Sequence, residues 1–158
     1  MSQPAAQLAA TIRSERAGVQ ALVETLTAER NALLNGLTDQ LAETAQRKRE
    51  LLLHIAHLGD QRNRVLERSG FAADRRGMEN WLVANDPSGV ARTEWNALLE
   101  LTRGAHRLNR ENGAYIDAGM RANQHALQAL MSASAAASTY GASGRATNPY
   151  ASRSLASA

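Results

Sequence analysis

Ile12, Val19, Leu26 and Leu33 stand seven residues apart, and Leu8 and Leu22 lie on the adjoining stripe two heptads apart. A narrow apolar seam of this period suits a helix lying along other helices; a strand, whose side chains alternate every second residue, cannot use it. Two carboxylates, Glu15 and Glu29, interrupt the second stripe. Residues 5–34 therefore read as one long helix with Gly18 as its weak position, and Asn35-Gly36 as the signal that breaks or kinks it.

Composition narrows the fold further. The chain of 158 residues holds 31 Ala and 20 Leu against five Val and three Ile. Strong helix formers dominate and sheet formers are scarce, which argues against an all-β or α/β protein. Three Pro and six aromatics leave little for many turns or a thick core.

A second helix is predicted over 38–68, with Thr38 as N-cap and Asp39 in its first turn. Its stripe runs through Leu41, Ala45, Lys48, Leu52, Ile55, Leu58 or Gly59, Arg62 and Leu66. Ser69-Gly70 ends it, because Gly is favoured just past a helix end. A short helix over 78–84 carries Trp81 and Leu82, and Asn85-Asp86-Pro87-Ser88-Gly89 reads as a loop. The third long helix, over 90–132, follows Trp95, Leu99, Thr102, His106, Asn109, Gly113, Ile116, Met120, Asn123, Leu127 and Leu130. Gly104, Gly113 and Gly119 each cost about 1 kcal/mol there relative to Ala. Either they allow close helix contact, or they keep the helix weak and adaptable.

The expected fold is thus all-α: an elongated antiparallel bundle or coiled-coil hairpin of three long helices and one short one. Residues 1–132 form its body. From Ser132 to Ala158, sixteen of 27 residues are Ala or Ser, and two Arg are the only charges. Such a segment buries too little surface to offset the entropy of ordering it, so 133–158 reads as a flexible, disordered tail, although Ala133–Ala137 is able to extend the helix. Tyr140 and Tyr150 stand out within it.

Several functions are disfavoured. With no Cys there are no disulfides, thiolate zinc sites, iron–sulfur clusters or cysteine nucleophile. No apolar run of about 18 residues offers a membrane span. Residues 1–10 lack a basic segment followed by an apolar run, so no secretory signal is expected there. The sequence pI is about 9.9, but 18 basic residues face 15 acidic ones, interspersed along helices, which does not suggest a nucleic-acid partner. His54 and His57, with Glu50 one turn earlier, lack a third and fourth metal ligand. No phosphate-binding glycine loop or catalytic triad is present, so neither an enzyme nor a cofactor is indicated. What remains is a partner-binding helical protein that recognises helices in grooves.

Short ordered motifs point further. Glu29-Arg30-Asn31-Ala32-Leu33, Lys48-Arg49-Glu50-Leu51-Leu52 and Gln61-Arg62-Asn63-Arg64 are followed by Trp95-Asn96-Ala97-Leu98 and Leu108-Asn109-Arg110-Glu111-Asn112-Gly113. Asn123-Gln124-His125-Ala126-Leu127 and Tyr140-Gly141-Ala142-Ser143-Gly144 complete the set. Together they resemble the FlgN family of bacterial flagellar type III export chaperones. The resemblance implies a cytoplasmic chaperone, transiently at the export apparatus, for the hook–filament junction proteins FlgK and FlgL. It also implies delivery to the export gate protein FlhA, with the tail tyrosine, here Tyr140, docking on the gate. Cargo binding would fall on the C-terminal helical region, here about 109–131. Along its stripe, Ile116, Met120, Leu127 and Leu130 would gain burial against cargo, with Asn109, Asn112, Gly113 and Asn123 beside them. The longer Ala/Ser-rich end, including Asn148-Pro149-Tyr150, departs from the pattern, and no role is carried onto Tyr150. The alternative is a coiled-coil adaptor with no export role and no function for its tail.

Overall fold

The computed structural model describes residues 3–143, with side chains for 5–136. These residues form helices α1 (Gln3–Asn35), α2 (Thr38–Arg68), α3 (Arg75–Asn85) and α4 (Val90–Ser143), with no strand among them. The fold is all-α, as the composition requires. The chain divides into two units, Met1–Ile116 and Asp117–Ala158, and α4 contributes to both.

In the first unit, the α1 seam is the core. Leu8, Ile12, Val19, Leu22 and Leu26 are all buried, and so are the two interrupting carboxylates, Glu15 and Glu29. Helix α2 runs antiparallel to α1. Arg62 pairs with Glu15 and Lys48 with Glu29, so fourteen residues forward on α1 correspond to fourteen backward on α2. Helix α4 runs parallel to α1: Glu94 pairs with Arg13 and Arg16, and Glu111 with Arg30. Gly18 has a use after all, because a Cβ there would come within 3.1 Å of Ile55 Cγ1. Its missing side chain lets α1 and α2 approach closely.

The junctions follow local chemistry. Gly36 and Gly70 adopt φ of 65° and 80°, the left-handed region that closes helices. Thr38 is not the N-cap of α2. It is the first helical residue, and Leu37 precedes it with no side-chain cap hydrogen bond. Helix α3 begins at Arg75, earlier than expected, because the Asp74 carboxylate accepts a hydrogen bond from Gly77 N at 2.6 Å. Met78, Trp81 and Leu82 then bury its inner face.

Two helix faces differ from the sequence expectation. On α2 the core takes Leu51, while Leu52 is 49% exposed. On α4 the buried residues are Ala91, Trp95, Leu98, Ala105 and Asn112, and Thr102, His106 and Asn109 are exposed. From Leu98 onward the inward face lies one position before the expected stripe, at Leu98, Ala105 and Asn112 rather than Leu99, His106 and Gly113.

In the second unit, α4 does not end at Ser132 but continues to Ser143. Ala is the strongest helix former, and four of the five residues 133–137 are Ala, so the helix propagates without needing burial. The boundary expected at 132–133 is therefore not a helix end, and the backbone at Tyr140 is helical. Residues 144–158, with Tyr150, lie outside the described residues.

Candidate functional site

Two polar ties hold the three long helices of the first unit together. In one, Arg62 Nη1 on α2 donates to both carboxylate oxygens of Glu15 on α1, each at 2.7 Å. The same guanidinium lies 5.1 Å from the centroid of the Trp95 ring on α4, a cation–π distance. Burial pushes the Glu15 carboxyl above its ordinary pKa, and the charge and hydrogen bond of Arg62 only partly oppose this. In the other tie, Lys48 Nζ on α2 donates to Glu29 Oε1 at 2.7 Å. Asn112 Nδ2 on α4 donates to Glu29 Oε2 and to the Leu26 carbonyl, each at 2.8 Å. The two interruptions of the α1 seam are thus where α2 and α4 are fixed in register.

Between the ties lies a cleft of about 300 Å³, partly open to solvent. Leu22, Leu26, Ile55 and Ala105 contribute its apolar interior, Leu52 stands at its α2 edge, and Thr102, His106 and Asn109 line its α4 side.

Asn112 was expected to face a partner. It is 1% exposed and engaged with α1, so it presents no surface to a partner. A polar side chain on a helix can serve the fold when a carboxylate and a backbone carbonyl face it, and spacing alone does not reveal that. Asn109 remains exposed, Gly113 is half-buried and Ile116 is 39% exposed; these belong to the first unit.

In the second unit, Met120, Asn123, Leu127 and Leu130 are all exposed, the three apolar side chains by 57–67%. Their spacing of three and four residues puts them on one helical face. Every residue from Ala114 to Ala136 is exposed. Met131, 70% exposed, adds a large apolar side chain that periodicity alone did not select, as does Tyr115, 51% exposed, next to Ile116 in the first unit. A Cβ at Gly104, Gly113 or Gly119 would meet nothing within 4 Å, so these glycines do not serve close packing within the described residues. His54 and His57 are exposed, and His57 lies against Gln61.

A helical body whose last helix leaves large apolar side chains exposed is the kind of surface that a protein partner covers. The family model of the FlgN protein matches residues 1–148, and the chain belongs to the FlgN family, whose members are flagellar export chaperones. Searches among curated proteins and among solved structures return no match. No helix among the described residues is long and apolar enough to cross a membrane.

Proposed function

We propose that this chain captures the C-terminal helical segments of the hook–filament junction proteins FlgK and FlgL in the cytoplasm and hands them to the export gate protein FlhA. The observation that carries the reading is the exposed apolar face of α4, Ile116, Met120, Leu127 and Leu130. Between Asn112 and Ser143 the only Asp, Glu, Lys or Arg residues are Asp117 and Arg121. A sparsely charged, Ala-rich helix left in water gains by being covered. Complete burial of a Leu, Ile or Met side chain contributes about 1.5–3 kcal/mol, so several such residues together offset much of the cost of association.

The chemistry suits a chaperone that works without nucleotide. Cargo would lay the apolar stripe of its own helix along Ile116 to Leu130, with Asn109 and Asn123 fixing register by hydrogen bonds and Gly113 lowering the bulk between them. Release then needs only a competing surface at the gate, where Tyr140 would dock.

Calorimetry of the full chain with the C-terminal segments of FlgK and FlgL tests this. Ile116→Asp and Leu127→Asp should each weaken capture while leaving helicity intact. Folded variants of both that bind as wild type does would move cargo off this face. Failure of the wild type to bind either segment would favour the adaptor reading.

A further inference from the structure

We propose that the cleft between α1, α2 and α4 is a second docking point for the cargo helix. It would take one large apolar side chain, while the arginines beside it hold an acidic flank of that helix. The inference rests on the chaperone reading but places part of the recognition in the first unit.

The cleft has the chemistry of an apolar receptor. The charged groups nearest it are internally neutralised, Glu15 by Arg62 and Glu29 by Lys48. Neither tie offers a free charge to a ligand. The interior is built by Leu22, Leu26, Ile55 and Ala105. Leu52 closes one edge with half its surface still in water. A space of about 300 Å³ is the lower limit of small-molecule pockets, about 300–1,000 Å³. It holds roughly ten waters by liquid volume, which one aromatic or long aliphatic side chain with its backbone would displace. No convergent set of buried polar groups marks it for a metabolite.

Its α4 wall then selects a helix as the bearer of that side chain. Thr102, Asn109 and Ile116 stand at seven-residue intervals on α4, all within the first unit. Ile116 follows Asn109 by two turns, about 10.5 Å. A helix lying along this side of α4 can therefore seat one apolar residue in the cleft and the next heptad residue near Ile116. Neighbouring heptad positions are the spacing that cargo of this kind must present.

Charge defines the flank. Arg103, Arg107 and Arg110 follow one another at intervals of four and three, so they border the Thr102–Asn109 face on one side. All three are exposed. Arg103 pairs with Glu100, and Glu111 is engaged by Arg30. Arg107 and Arg110 make no ion pair among the described residues, although both help to hold the Glu111 carboxyl below its ordinary pKa, after the hydrogen bond from Arg30. A partner helix complementary to this border carries acidic residues beside its apolar stripe. Such pairs act mostly through encounter rate and orientation and weaken with salt.

The test uses the full chain and a synthetic peptide of the C-terminal helical segment of FlgK, titrated at low and high salt. Leu52→Glu places a charge at the cleft edge, and Arg107→Glu with Arg110→Glu reverses the border. Each should weaken the peptide by tenfold or more, and the double reversal should also abolish the salt dependence of binding. Circular dichroism and melting confirm that the variants fold. If Leu52→Glu unfolds, the arginine reversal, made on exposed residues alone, still decides. If both sets bind as tightly as wild type while Leu127→Asp weakens the peptide, the cleft is not a docking point and the chaperone reading stands. If the wild type binds neither this peptide nor the corresponding FlgL peptide, both readings fall.

Discussion

Arg62 reaches across from α2 to hold Glu15 of α1 through both carboxylate oxygens, each at 2.7 Å, while its guanidinium lies over Trp95 of α4. Glu15 is 7% exposed, so the pair is well withdrawn from water. Burying two charges is costly, and the attraction between them repays it only with good geometry. Removing one partner leaves the other buried alone. Glu15→Ala should therefore destabilise the protein by about 3 kcal/mol in urea unfolding. Replacing both residues by Leu should cost far less, or stabilise. A double variant as unstable as the sum of the singles would show that the pair is not acting as a unit.

The same carboxylate sets a pH dependence. Its folded pKa is raised from 4.5, first by burial. The folded state therefore holds the proton more tightly than the unfolded chain, and this contribution favours folding below the unfolded value. It declines as pH rises through the folded pKa. Stability of the wild type should carry a component that increases as pH is lowered from neutrality toward 4.5, and Glu15→Gln should lack it. Superimposable pH–stability curves for the two proteins would rule this out.

Asp86 works in the opposite sense. Its N–H donates to the Leu82 carbonyl at the end of α3, and its Oδ2 accepts from Arg92 N in the first turn of α4 at 2.8 Å. Desolvation acts to raise its pKa, but hydrogen bonds from Arg92 N, Ser88 and the Ala91 and Val90 amides outweigh that, and the net shift is downward from 3.8. Its contribution is present above 3.8 and lost as pH falls through the folded value. Asp86→Ala should cost about 1 kcal/mol at neutral pH. The gap from wild type should close in acid, as followed by thermal melts across pH.

The glycines of α4 give a sharper test of what that helix is for. Nothing lies within 4 Å of a Cβ built at Gly104, so Gly104→Ala should raise stability by about 1 kcal/mol. Gly18→Ala should not, because its methyl would crowd Ile55 Cγ1 at 3.1 Å. A loss of stability in Gly104→Ala would mean that this part of α4 is packed more closely than the structure shows.

How much of this was legible in the sequence depends on what sets each feature. The seven-residue seam of α1 and the turn signals at Gly36 and Gly70 are local, and they locate α1 and α2 almost to the residue. Leu51-Leu52-Leu53 carries no phase of its own, so periodicity cannot say which leucine faces the core; the Lys48–Glu29 and Arg62–Glu15 pairs settle it for Leu51. On α4, Ala105, Leu108 and Asn112 turn inward, one position before His106, Asn109 and Gly113, because Glu29 and the Leu26 carbonyl await Asn112. A small or polar residue becomes a core residue only when its partner on another helix is known. The extent of α4 past Ser132 is poorly legible for a different reason. Low burial argues against order there, whereas Ala propensity, already visible at 133–137, sustains a helix nucleated upstream.

That continuation changes how Tyr140 would act at the gate. Its backbone belongs to α4, so the residue would meet a partner as part of a helix. A helical anchor loses less conformational entropy on docking than a disordered one. Tyrosine joins a large apolar ring to a polar tip, which suits a pocket on a partner. Tyr140→Ala should leave thermal stability and the affinity for FlgK and FlgL segments unchanged. It should weaken binding of the loaded complex to the cytoplasmic domain of FlhA by about 2 kcal/mol, roughly thirtyfold. Tyr140→Phe separates the two parts of the side chain: near-wild-type binding assigns the effect to the ring, and a loss approaching that of Ala assigns it to the hydroxyl. A titration in which the Tyr140→Ala complex binds the gate as tightly as wild type would remove this residue from delivery.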